Sequence, residues 1–173
     1  MSGNVVETGA DIAAWFECYQ FLTLEAQCLD ENRVTDWLEF LTQDISYDMP
    51  IMLTRRRTDN PIASNGWHMK ETFGSLQSRV ARLGTNSAWG EDPPSRTRRL
   101  IGNVQSGSWE SNEIPVRSNL LLYVGRGDSP DHAVLAAERQ DVLRRTTRGL
   151  RIARRLVLLS HTTLPVQSLG VFL

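Results

Sequence analysis

The sequence predicts an α+β domain, with helices first and a meander of long strands after them. Three observations carry this. Apolar residues recur at three- and four-residue steps through the first forty positions, then at two-residue steps from Ile45 onward and again from Arg98 to Ser160. The chain has 173 residues, enough for one sizeable core. Its hydrophobic share of 40 % and charged share of 23 % match an ordinary globular domain and argue against a disordered chain or a fibrous repeat.

The first helix is read from Ile12, Trp15/Phe16, Tyr19, Leu22, Ala26 and Leu29, which form one broad apolar stripe taken as core. Thr8 and Asp11 supply a capping-box start, and Asn32 supplies the stop. A second, short helix follows, with Val34, Trp37/Leu38 and Leu41 on one side. In Ile45–Leu53 the residues Ile45, Tyr47, Met49, Ile51 and Leu53 alternate with polar ones, the pattern of a half-buried strand. Pro50 cannot donate to a ladder and places that strand at an edge or a bulge. Asn-Pro and Asn-Gly breakers predict a polar loop over 58–69, and a third helix runs from Lys70 to Leu83 with Phe73, Leu76, Val80 and Leu83 inward. Residues 84–96 form a long connection containing Pro93 and Pro94.

Strand patterns then occupy Arg98–Trp109, Ile114–Arg126, Ala133–Leu143 and Leu150–Ser160. The run Leu120–Val124 is apolar at every position, as in a strand covered on both faces. Seven arginines fall between Arg139 and Arg155 against one acid, Asp141. As a helix this would be a basic amphipathic element, but Gly149 and its β-branched flanks favour a hairpin around Thr146–Gly149. Interleaved aromatics for stacking bases are missing, so the stretch reads as a protein-facing basic surface rather than a nucleic-acid site.

Charge is unevenly spread. Residues 1–60 hold eleven acids and four bases, whereas residues 61–173 hold nine acids and fifteen bases, all but Lys70 arginine. Such sidedness suits docking onto another protein, and arginine's planar fork suits partly buried ion pairs. The two cysteines, Cys18 and Cys28, lie ten residues apart. On one helix that is about 15 Å along the axis, too far to bridge, so a reduced, cytoplasmic protein is expected. The opening residues Met1–Glu7 lack the charged start and apolar stretch expected of an export signal, and no apolar run reaches spanning length.

The tests for chemistry return little. Paired Cys/His spacings for zinc or iron–sulfur sites are absent, and His68, His132 and His161 are far apart in sequence. Phosphate-binding glycine loops and a nucleophile elbow are absent as well. Tyr47, Asp48 and His68 are acid–base candidates for an internal cavity, yet alternation sends Tyr47 and Asp48 to opposite faces. No catalytic, cofactor-binding or metal-binding residue is therefore assigned.

A family resemblance enters through specific residues. Arg79-Val-Ala-Arg-Leu83 is followed by Ala88-Trp-Gly-Glu-Asp-Pro-Pro-Ser-Arg-Thr-Arg-Arg99 and Asn103-Val104. With Glu25, Leu29-Asp-Glu-Asn-Arg33, Trp37-Leu38, Tyr47-Asp-Met-Pro50, Ser118-Asn119, Glu138–Arg145, Ile152-Ala-Arg-Arg155 and Val171-Phe-Leu173, these span nearly the whole chain in order. The sequence closely resembles the small (beta) subunit of bacterial aromatic-ring-hydroxylating dioxygenases.

The resemblance implies one domain over residues 1–173, similar to nuclear transport factor 2: a cone made of a strongly curved, mainly antiparallel sheet on about three N-terminal helices. It implies a structural role beside a large (alpha) subunit, in an α3β3 hexamer performing NADH- and O2-dependent cis-dihydroxylation of aromatic compounds. The large subunit would hold the Rieske [2Fe-2S] cluster and mononuclear Fe(II), fed by a reductase and often a ferredoxin. No cofactor is expected in this chain, and neither nucleic acid nor membrane is an expected partner. The aromatic substrate would be set chiefly by the large subunit. The loop residues Trp89, Glu91, Asp92, Pro93, Pro94, Arg96, Arg98 and Arg99 are expected either to form a subunit interface or to brace the monomer's own turn. The alternative is a stand-alone isomerase or dehydratase of the same fold, using an internal cavity.

Overall fold

The computed structural model describes residues 11–56, 58–83, 95–125, 127, 130–165 and 171–173. Helices α1 (Ile12–Asp30), α2 (Val34–Trp37) and α3 (Phe73–Leu83), with a 3-10 turn at Leu38–Phe40, pack on a six-stranded sheet. Its strands are β1 (Leu41–Met52), β2 (Ile62–Glu71), β3 (Arg96–Ser106), β4 (Glu113–Gly125), β5 (His132–Thr146) and β6 (Gly149–Leu159). Spatial order is β2-β1-β6-β5-β4-β3. Every neighbouring pair is antiparallel except β1–β6, where the first and last strands run side by side. The result is the curved α+β sheet expected, with its core between the helices and the concave face. Among the described residues, no helix is long and apolar enough to cross a membrane.

Asp11 caps α1 by accepting from the amides of Ala13 and Ala14. Beyond the other end, Asn32 adopts φ 57°, a left-handed conformation that asparagine tolerates well. The buried face of α1 differs from the expected stripe. Ala14, Cys18, Leu22, Glu25, Ala26, Cys28 and Leu29 are inward, while Ile12, Phe16 and Tyr19 are exposed. Small residues at positions 14 and 18 let the helix backbone lie close to the sheet, and bulkier neighbours turn outward. Trp15 fixes the docking by donating its indole N–H to the Val104 carbonyl at 2.9 Å.

The loop expected over 58–69 is largely a strand. β2 pairs antiparallel with β1; Asn60-Pro61 lies just before it, and Asn65-Gly66 is absorbed as an irregularity in the register, where Pro50 faces Trp67 while Met52 already faces Ile62. Asn65 and Gly66 fall inside that bulge. A side chain at position 66 would meet the Ile51 Cδ1 atom at 3.0 Å, so glycine permits the close approach. Pro50 lies in the second strand of the sheet, at a bulge rather than an edge. With Lys70 and Glu71 taken by β2, α3 starts later than the periodicity suggests.

Leu120–Val124 is covered on one face only. Leu120 and Leu122 are buried, whereas Leu121 and Tyr123 point outward. The expected hairpin joins β5 to β6, with Gly149 at φ 91°.

Candidate functional site

The centre of the cone holds charge. Glu25 from α1, Arg139 and Asp141 from β5, and Arg155 from β6 are all buried. Arg155 donates Nη1 and Nη2 to the Glu25 carboxylate at 2.6 and 2.8 Å. Its Nε and Nη2 reach Asp141 at 2.8 and 2.9 Å. Trp37 adds its indole N–H to Glu25 at 2.9 Å, and Arg139 approaches the same carboxylate at 3.5 Å. Burial alone would raise the Glu25 pKa, but Arg155, Arg139 and the Trp37 hydrogen bond together lower it to about 2. Burial likewise opposes the charge on Arg155, and Asp141 and Glu25 overcome it, holding the guanidinium well above its ordinary value. A carboxylate so firmly ionised and engaged on both oxygens is unsuited to passing protons at neutral pH, so the cluster is a structural clamp joining α1, β5 and β6.

A second clamp joins α1, β3 and the closing segment. The Arg99 amide donates to Asp30 Oδ2 at 2.8 Å, its Nη1 pairs with Asp30 Oδ1, and its Nη2 donates to the Phe172 carbonyl at 2.6 Å. Thr97 adds a hydroxyl bond to Asp30 at 3.0 Å. Burial pulls the Arg99 pKa down against the pull of Asp30. Arg99, one of the loop candidates, therefore braces the monomer's interior. Arg96 and Arg98 alternate with it outward on β3, and Arg98 Nη1 donates to the Thr97 carbonyl at 2.8 Å. Trp89, Glu91, Asp92, Pro93 and Pro94 lie outside the described residues.

The acid–base candidates are not brought together. Tyr47 is buried, its hydroxyl donating to the Leu173 carbonyl at 2.7 Å and accepting from the Leu173 amide at 3.0 Å. Burial pushes that phenol's pKa up. Asp48 accepts from Ser46 at 2.8 Å on the other side of the strand. Among the histidines, His161 Nε2 accepts from the Ala136 amide, and His132 stacks on Tyr123. Among the described residues, no cluster of three or more His, Cys, Asp or Glu side chains is placed to hold a metal. Cavities of about 390 and 410 Å³ open beside α1 and β3 and beside Arg55–Asp59; neither is lined by Glu25, Tyr47 or Arg155.

The basic hairpin is mostly neutralised from within. Arg144 bridges Glu113 and Asp44, Arg145 pairs with Glu17, and Arg148 pairs with Glu39. Arg145 also lies 4.5 Å over the Trp109 ring. Glu17, Glu25, Glu39 and Asp44 all come from the acidic first sixty residues, so much of the charge sidedness is complementarity within the chain. The expected protein-facing basic surface shrinks accordingly.

The outer face of β3–β5 is open and apolar. Leu100 is 68 % exposed, Leu121 48 %, Val134 45 % and Tyr123 42 %. The register sets Leu100 opposite Leu121 and Tyr123 opposite both Arg98 and Val134, so these side chains form one contiguous patch. Periodicity reasoning missed both this patch and the internal clamps. The signal for the clamps was available: Glu25 interrupts an apolar stripe, and Arg139, Asp141 and Arg155 share the inward parity of Leu135, Leu143 and Val157.

Comparison with known proteins gives consistent matches. The family model for the ring hydroxylating beta subunit matches residues 24–166. The N,N-dimethyl phenylurea N-demethylase subunit beta of Sphingobium sp. (strain YBL2) is 32 % identical over 94 % of this chain and 93 % of its own length. The 3-phenylpropionate/cinnamic acid dioxygenase subunit beta of Photorhabdus laumondii is 35 % identical, covering 90 % and 89 %. Benzene 1,2-dioxygenase subunit beta of Pseudomonas putida is 31 % identical, covering 90 % and 87 %. Among solved structures, a chain of naphthalene 1,2-dioxygenase with indole bound in the active site superposes with a TM-score of 0.86 at 26 % identity, covering 96 % of this chain and 89 % of that one. A putative scytalone dehydratase from Novosphingobium aromaticivorans shares the fold, with a TM-score of 0.66 at 13 % identity and 91 % of each chain covered.

Proposed function

The chain belongs to the ring hydroxylating beta subunit family, and from that premise we propose that it is the structural small subunit of an oxygenase that hydroxylates aromatic rings. It acts as one domain over residues 1–173, in the cytoplasm, beside a large subunit that carries the redox chemistry. The finer assignment is an α3β3 assembly performing cis-dihydroxylation with NADH and O2. The Rieske cluster and mononuclear iron reside in the large subunit, and a reductase and ferredoxin deliver electrons to it.

The observation that carries this reading is the division of the molecule. Its interior is occupied by its own ion pairs and aromatic rings, while a contiguous apolar patch lies on the outer face of β3–β5. A scaffold needs a rigid body and an exposed docking surface, and this chain has both. Leu100, Leu121, Tyr123 and Val134 are the centre of the proposed contact, with Arg96 and Arg98 at its edge. The stand-alone isomerase or dehydratase is not favoured, because Tyr47, Glu25 and Arg155 fill the place such a site would need. The relatives named above include a demethylase subunit and dioxygenase subunits, which supports a small subunit that leaves the choice of reaction to its partner.

Co-expression with the large-subunit reading frame, followed by intact mass measurement and iron analysis, tests the proposal. The expected result is an equimolar complex whose iron stays with the large subunit. Leu121→Asp should abolish the complex while leaving this chain's own melting temperature unchanged. Stoichiometric iron on the isolated chain, or turnover by it alone, would overturn the assignment.

A further inference from the structure

The segment Val171–Leu173 is bound in the way a ligand is bound. The Phe172 ring stacks on the Trp37 indole, with centroids 4.3 Å apart and planes inclined by 21°. Tyr47 stands edge-on to the same indole at 6.4 Å, closing the slot from another side. Both backbone carbonyls are captured. Arg99 Nη2 takes that of Phe172 at 2.6 Å, and Tyr47 Oη and Arg155 Nη1 take that of Leu173 at 2.7 and 3.2 Å. The Leu173 amide donates back to the Tyr47 hydroxyl. Phe172 and Leu173 are buried, and the residues receiving them come from α2, β1, β3 and β6, all remote in sequence.

Three of the four receiving side chains are also held without the segment. Arg99 is anchored by Asp30, Arg155 by Glu25 and Asp141, and the Trp37 indole N–H by Glu25. A site whose donors are fixed by other partners keeps its geometry when its occupant leaves, and this lowers the ordering cost of rebinding. We infer that the cone contains a preorganised socket for a short peptide with a central aromatic residue and flanking aliphatic residues. The chain fills this socket with its own Val171-Phe-Leu173, and the socket accepts the same peptide in trans. The chamber that could house a substrate in a cone of this kind is thereby committed to self-recognition.

The test uses a chain shortened by Val171–Leu173, the intact chain, and the peptides acetyl-Val-Phe-Leu and acetyl-Val-Ala-Leu. In thermal melts, acetyl-Val-Phe-Leu at a hundred times its Kd should raise the Tm of the shortened chain by about 5 °C or more. It should leave the intact chain unmoved, and acetyl-Val-Ala-Leu should move neither. Tryptophan emission of the shortened chain should shift with the first peptide only, through Trp37. Full-length Phe172→Ala gives a second reading that does not depend on the shortened chain folding. It opens a ring-sized space against Trp37, and toluene should raise its Tm while leaving the parent unchanged. The inference is overturned if the intact chain responds to acetyl-Val-Phe-Leu as strongly as the shortened one. It is equally overturned if neither the peptide nor toluene moves the variants.

Discussion

Arg155→Met removes the guanidinium at the centre of the cone and leaves an unbranched apolar stem in its place. Arg155 engages Glu25 and Asp141 through four hydrogen bonds of 2.6–2.9 Å, with all three side chains withdrawn from water. Breaking such a pair from one side costs about 3–5 kcal/mol, because the charges left behind stay buried. The depressed Glu25 pKa gives a similar scale. A fall from 4.5 to about 2 corresponds to roughly 3 kcal/mol of preference for the ionised form. For a chain of this length 1 kcal/mol moves Tm by about 2–4 °C, so the variant should melt about 10–15 °C below the parent at pH 7.

The pH dependence of Arg155→Met carries a sign of its own. In the parent, the Glu25 contribution is complete above about pH 4.5 and is lost as pH falls toward 2, because the folded pKa is depressed. In the variant, Glu25 loses its main cation while its burial remains, and burial drives its pKa up, so protonation relieves the cost. The gap between variant and parent should therefore narrow between pH 7 and pH 4. Circular-dichroism melts at several pH values measure both effects. A loss of less than about 3 °C at neutral pH, or a gap that widens in acid, would refute the account of the clamp.

Two further outcomes follow from the geometry. Arg99→Ala should lose about 3 kcal/mol in urea unfolding, since it removes the buried guanidinium from half-buried Asp30 and from the Phe172 carbonyl, while Arg98→Ala should stay within about 0.5 kcal/mol; equal losses would mean that Arg99 is no clamp. Cys18 and Cys28 are fully buried, and burial pushes the Cys18 thiol up to about 11. Iodoacetamide at pH 8 should therefore leave both unmodified in the folded chain and label both in urea, as read by mass spectrometry.

The sequence was most legible where a single period ran unopposed. The apolar period of α1, the β5–β6 hairpin and the alternation of β1 follow from local spacing and turn chemistry, while the N-cap of α1 is Asp11 itself, three residues later than a Thr8–Asp11 capping box would put it. It was least legible where a neighbour supplied what local residues lacked. Breakers at Asn65-Gly66 argue against a strand, yet β1 provides the pairing edge and the bulge absorbs them. The C-terminal half of the α1 stripe, Leu22, Ala26 and Leu29, is inward as its spacing predicts, whereas in the N-terminal half close helix–sheet packing favours Ala14 and Cys18 over Ile12, Phe16 and Tyr19.

By itself the sequence determined the order and period of the elements other than β2, the absence of clustered Cys/His ligand spacings, and a set of motifs that named a family. Only the tertiary structure decided what the charges do. Glu25, Asp141 and Arg155 lie more than a hundred residues apart at the extreme, and nothing local marks them as partners. Coulomb attraction becomes strong only after water has been expelled, and expulsion belongs to the assembled cone rather than to any segment of it. The same holds for Phe172 against Trp37: the slot that receives the ring exists only when strands from both ends of the chain have closed around it.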